Sequence, residues 1–284
     1  MPTFDTPGPI DLDVTVGMGL VELIASDRAD TVVEVVPANP RRSGDVSLAG
    51  EATVAFADGR VRVKVPKRLN LFGPGDSVDV RVNLPTGSRA TVENAYGSIR
   101  ARGVLGDSRI TAAYGTVTMD TTGDLALKAP YGDVEIEEVA GDLDLVAGHA
   151  KLRIGRVGGD ARVKGSHGIL DFGEIAGELE ARTSGAVSVG RAGGSVSVQT
   201  AHGAIRVREA RSGTIRLENG YAEVSVGVPK GVAAWVDAAS QHGVVRNELT
   251  PDAGPEGADS TVELRLRNNY GDIIISRTPQ GGTK

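Results

Sequence analysis

All five tyrosines and all four histidines of this 284-residue chain occupy one position of a single internal repeat. They are Tyr96, Tyr114, Tyr131, His149, His167, His202, Tyr221, His242 and Tyr270, and Ser184 fills the one rung without a ring. The steps along this series are 18, 17, 18, 18, 17, 18, 19, 21 and 28 residues. A period of this size is the mark of a stacked architecture, in which each repeat buries its apolar face only against its neighbours.

The residues around the ring show what kind of stack it is. Gly follows the ring site in eight of ten rungs, with Ala150 and Ala222 in the other two. Three residues after it stands an aliphatic side chain in every rung: Ile99, Val117, Val134, Leu152, Leu170, Val187, Ile205, Val224, Val245 and Ile273. Five residues after it only Asn247 is polar. Before the ring lies a second alternating pair, as in Leu125/Leu127, Val196/Val198 and Leu264/Leu266. Alternation with period two predicts strands with one face buried. Each rung therefore has two short strands meeting at the ring-Gly corner, and a third apolar anchor in several rungs (Val104, Val139, Val157, Ile175) precedes a coil-closing Gly. No stretch shows a sustained helical period. The fold class is all-β, a β-solenoid with coils of about 18 residues.

The whole chain reads as one solenoid domain, 1–284. Residues 1–84 form an irregular N-terminal β cap, with a rung-like stretch that places Met18 at the ring site and a surface loop at Asn39–Gly44. Residues 85–249 carry the regular coils, 250–260 a polar loop, 261–276 the last coil and 277–284 a frayed tail. Two strands end in Pro-x-Gly, at Pro85-Thr86-Gly87 and Pro229-Lys230-Gly231, and mark changes in rung geometry. Solenoids need atypical end repeats to protect their open edges.

The repeated x-Tyr/His-Gly-x-Ile-x-Val motif, with its Leu-Pro-x-Gly approach at 84–87, resembles the putative-adhesin family of bacterial β-strand-repeat proteins, also called Toastrack-like. The resemblance covers at least residues 77–276. It implies an accessory role in bacterial envelope-stress systems and supplies no catalytic residues. Relatives are often joined to membrane segments. Here residues 1–10 lack a basic and then apolar leader, and no run approaches the roughly 20 apolar residues of a membrane helix. The expectation is a cytoplasmic protein without direct membrane insertion.

The remaining composition narrows function. No Cys is present, which excludes thiolate metal sites and Cys nucleophiles. The net charge of -6 is spread over intermixed acids and bases, so nucleic acid is not an expected partner. No Ser-His-Asp set, phosphate loop or dinucleotide fingerprint is evident, so no enzyme activity, catalytic residue or cofactor is expected.

Three features compete with a structural reading. His149 and His167 in adjacent rungs are weak metal candidates, short of the three or four ligands zinc takes. Asp107, Asp124, Asp142, Asp160 and Glu178 follow the coil-closing Gly and form an acidic column. Calcium would offset its repulsion, but Asp accepting backbone N–H groups within the turn explains it more simply. Leu71, Phe72 and Ile274 are interface candidates, and Trp235 is expected in the core. The leading function is a non-enzymatic scaffold or protein-interaction module. The alternatives are self-assembly through the solenoid ends into a homo-oligomer, and a carbohydrate-binding, adhesin-like protein.

Overall fold

The computed structural model describes residues 1–68, 75–249 and 260–278. The fold is an all-β solenoid. Ser108–Tyr114 pairs in parallel with Arg89–Tyr96 on one side and Leu125–Tyr131 on the other. Val117–Thr122 pairs likewise with Ile99–Val104 and Val134–Val139. Val92, Ile110 and Leu127 thus form one buried column, and Ile99, Val117 and Val134 another. A one-residue slip would turn every such side chain into water, so the alternation fixes the register.

The chain forms two compact units, Met1–Gly141 and Asp142–Lys284. In the first, coil order departs from chain order. Asp11–Met18 lies between Arg60–Lys64 and Arg89–Tyr96. Val21–Ser26 lies between Val78–Pro85 and Ile99–Val104. The first coil is therefore threaded into a slot between two later ones. Charge explains the choice of slot. Asp11 bonds Arg60 Nη2 at 3.1 Å on its outer side and Arg89 Nε at 2.8 Å on its inner side. Glu22 does the same between Arg81 at 2.8 Å and Arg102 at 3.9 Å. An acidic coil sits between two basic ones, and opposite charges on facing strands stabilise the pairing.

The outer coil of this unit is itself covered. Thr53–Ala57 folds back antiparallel on Arg60–Lys64 through an Asp58-Gly59 turn with φ 51° and 72°, the dihedral signs of a tight hairpin. Asp30–Pro37 runs antiparallel on Val78–Pro85, and Thr3–Asp5 on Asp30–Pro37. The rings of Phe4 and Phe56, 5.2 Å apart, join the two outer layers. The loop expected through Asn39–Gly44 is present at 39–42, but its last two residues open an unexpected α-helix, Ser43–Gly50. No side chain caps its N-terminus. It is held by tertiary contacts: the buried Asp45 carboxylate accepts the N–H groups of Asn39 and Ser77, and Leu48 is buried.

In the second unit Leu143–Val157 and Ala161–Ile175 run through the corner as single long strands in exact register, His149 against His167. The C-terminal coil repeats the threading seen at the N-terminus. Ser260–Asn268 lies between Gly213–Asn219 and Val232–Ser240, and Ile273–Arg277 between Val224–Val228 and Val245–Asn247. The coil that is last in the sequence is thus not outermost, contrary to expectation; residues 232–247 form the outermost coil. Both Pro-x-Gly turns now have a cause. At each, the chain steps past a slot that a terminal coil fills, roughly two strand spacings or 9–10 Å. Gly87 and Gly231 take φ of 76° and 82° there, where other residues are strained.

Candidate functional site

The ring site is an external corner. Tyr96, Tyr114, Tyr131, Tyr221 and Tyr270 are each about half exposed, and the four histidines are exposed as well. In the first unit Tyr96 and Tyr114 stack with centroids 5.0 Å apart and planes 4° apart, and Tyr114 and Tyr131 at 4.8 Å and 1°. Met18 extends this row at the position opposite Tyr96. In the second unit His149 and His167 stack at 5.0 Å. A separate run follows the threaded coil order: His202 on Tyr221 at 5.3 Å, Tyr221 on Tyr270 at 5.0 Å, and Tyr270 on His242 at 4.6 Å. Strand spacing sets these separations. Tyr114, Tyr221 and Tyr270 have a stacked ring on both faces, so a partner meets their rims, whereas His242 ends its run on the outermost coil.

Two devices hold the corner. Gly19 follows Met18 with φ 141°, and a Cβ there would overlap the Val78 carbonyl of the adjacent coil. The second device went unread in the sequence. Asn94, Asn219 and Asn268 are buried two residues before Tyr96, Tyr221 and Tyr270. Asn94 Nδ2 donates to Gly19 O at 2.9 Å, and Asn219 and Asn268 donate to Ala222 O at 2.8 and 2.7 Å. The thrice-repeated Asn-x-Tyr was the available signal, and all three stand in or beside a threaded coil. Ser184 lies in a coil one residue shorter at the corner: Lys164 pairs with Arg182 but Ile169 with Ala186.

Among the described residues no group of three or more His, Asp or Glu is arranged to hold a metal ion. The acidic column has a backbone explanation, but across coils rather than within a turn as expected. Asp107 Oδ1 accepts the N–H of Asp124 at 3.1 Å, Asp142 that of Asp160 at 2.8 Å, and Asp160 that of Glu178 at 2.9 Å. Each carboxylate orders the next turn.

The other candidates fall apart from this corner. Leu71 and Phe72 lie outside the described residues. Ile274 is half-buried in a strand paired on both sides, so it presents no free edge. Trp235 corrects the core expectation: it is 57% exposed on the outermost coil, because its alternation places it on the outer face opposite Glu263. The rest of the surface carries cross-coil ion pairs such as Glu174–Arg191–Glu209, at 2.9 and 3.4 Å. Among the described residues no helix is long and apolar enough to cross a membrane.

No family model matches the chain, and no curated protein does. Several solved structures are similar over nearly its whole length. A putative adhesin from Parabacteroides distasonis is 12% identical, with 96% of this chain and 95% of that one covered and a TM-score of 0.40. A putative cell adhesion protein from Clostridium sporogenes is 11% identical, covering 97% and 98% with a TM-score of 0.22. A structure described as a putative lipid binding protein, also from Parabacteroides distasonis, is 10% identical, covering 96% and 95% with a TM-score of 0.35. The solenoid assignment rests on this chain's own strand pairing, and the adhesin label of the first two is the one carried by the family that the repeat resembles.

Proposed function

We propose that the chain is a non-enzymatic, adhesin-like scaffold that docks proteins along its ring corner, in bacterial envelope-stress or regulatory circuitry. The observation that carries this reading is the row Tyr96–Tyr114–Tyr131, stacked within 4° of parallel and about half exposed. Tyrosine is enriched where protein interfaces draw their energy, and side chains already ordered lose little entropy on binding. Within this row both faces of Tyr114 are taken by its neighbours, which favours a protein surface over sugar rings, since sugars stack on open aromatic faces.

The test replaces Tyr114 and Tyr131 together by Thr, a residue suited to strands. In-cell photocrosslinking from position 116 is compared between the parent and this variant at matched melting temperature. Loss of a specific crosslinked partner supports the reading. An unchanged crosslink pattern, or a hydrolytic activity abolished by one substitution, overturns it. A glycan array addresses the carbohydrate reading: binding that survives the double Thr variant would place sugar recognition elsewhere on the surface.

A further inference from the structure

The outermost coil of the second unit is an unfinished layer. Val224, Ile273 and Val245 occupy the same position in three adjacent coils. The first two are 0% exposed and Val245 is 38% exposed. Along the companion strand, Val262, Leu264 and Leu266 are fully buried, whereas their partners Ala234, Val236 and Ala238 are only half-buried. Asn247 replaces the apolar residue that every other coil carries five residues past the corner, as suits a position facing water. Val232–Ser240 pairs with Ser260–Asn268 on one side, and its other edge has no strand partner among the described residues.

We propose that this edge pairs with the same edge of a second copy, antiparallel about a two-fold axis through Val236. The occupant follows from three points. First, the coil that ends the other unit is already paired with antiparallel strands, so it offers no matching open coil edge, and pairing of like edges about a two-fold axis gives a closed dimer. Second, charge fits in this register. Asp237 and Arg265 are opposite one another within a copy, as are Trp235 and Glu263. The two-fold axis brings Trp235 against Asp237 of the second copy, so each row across the joint reads Arg265, Asp237, Trp235, Glu263, with no like charges facing. Centring on Asp237 would instead oppose two carboxylates. Third, the strand is long enough for backbone pairing, and most of its residues are small or apolar (Ala233, Ala234, Val236, Ala238, Ala239). Edge pairing of this kind is what exposed strands do unless something prevents it. The contributing coil, 232–247, is smaller than the roughly 20–30 residues a side of a standard interface, so a weak dimer is expected, with a Kd in the micromolar range or above.

Trp235 is the only tryptophan and reports directly on the joint. Sedimentation velocity and tryptophan emission are followed together on the full chain, from well below to well above that Kd. The expected result is a monomer-to-dimer rise in mass with a parallel blue shift of emission. A monomer at all concentrations, a filament, or a dimer without the shift overturns the proposal. Register is tested by charge. In the proposed pairing Ala233 faces Ala239 of the second copy. The variants A233K/A239K and A233E/A239E should each stay monomeric with parental melting temperatures, and their equimolar mixture should dimerise. Dimerisation of either variant alone, or no dimer in the mixture, overturns the register. A lost self-association with intact crosslinking at the ring corner, or the reverse, separates this proposal from the docking function above.

Discussion

The two ends of the chain use the same device and finish it differently. Each terminal coil is threaded between two coils that the chain joins by a Pro-x-Gly step. The N-terminal coil is gripped by charge from both sides, with Asp11 and Glu22 each between arginines. The C-terminal coil is ion-paired toward its outer neighbour, through Arg267 with Asp237 at 2.6 Å and Asp272 with Arg246 at 3.3 Å, while inward Glu263 Oε2 accepts from the neutral Thr214 Oγ1 at 3.0 Å. Beyond the first lies a cap of antiparallel strands and a helix; beyond the second lies a single coil. The contrast shows that threading places an end coil but does not by itself close the layer outside it.

The largest test of this contrast removes the C-terminal coil by ending the chain at Leu249. The loss strips Val262, Leu264, Leu266, Ile273 and Ile275 from the core. At about 1.5–3 kcal/mol each, that matches the whole stability of a typical domain. Urea unfolding should lose the cooperative transition of the second unit. A parental transition would mean that the slot does not need its filling. Next in size, Gly19→Ala should cost at least about 2 kcal/mol, from a strained φ and a backbone collision together. Gly271→Ala at the equivalent corner lacks the positive φ and should cost less; equal losses in thermal melts would erase this difference between the ends.

Asp45→Ala should destabilise by about 1–3 kcal/mol by leaving two N–H groups without their acceptor, and should raise hydrogen exchange in 39–50 while leaving 260–278 unchanged. Asp11→Asn with Glu22→Gln should cost about 1 kcal/mol, less at high salt. The guanidinium of Arg60 holds the Asp11 carboxyl below its ordinary value of 3.8, with Arg89 adding to the effect. A depressed carboxyl stabilises the fold above the unfolded value and ceases to do so as pH falls through the folded one. The double variant should therefore lose less stability than the parent between pH 5 and pH 3. The smallest effect is at Asp237, whose carboxyl is likewise lowered by Arg267. Its side chain is partly exposed beside a solvated arginine, so Asp237→Asn should only slightly flatten the same acid limb. An equal flattening at both sites would contradict the stronger N-terminal grip.

Much of the fold was legible because each coil restates it. The ring-Gly corner, the aliphatic positions three and five residues on, and the coil period all recur, so no single residue had to be decisive. Coil order at the ends was not legible by that route. It depends on pairing such as Asp11 with Arg89 across 78 residues, and periodicity carries no information about which edge a coil joins. The clues were chemical: acids in one end coil, arginines in its neighbours, and a Pro-x-Gly at each step. The Asp58-Gly59 hairpin was readable from its dipeptide. Ser43–Gly50 was not, because two of its residues are glycine and its anchor, Asp45, acts through tertiary hydrogen bonds. Trp235 was misplaced because a large ring was expected to be buried, while its period-two position pointed outward.

Threading also governs the order in which the chain can be made and unmade. A nascent chain cannot seat its first coil until the strands through residue 104 have emerged to form both walls of the slot, so its earliest-made segment waits for later ones, and folding carries the delay of distant contacts. In reverse, neither terminal coil can peel away from the end of the stack as the outer turn of a simple spring would. It must be drawn out from between two walls, which breaks two hydrogen-bonded ladders together, and the threaded coils are thereby harder to fray than the outer turns beside them.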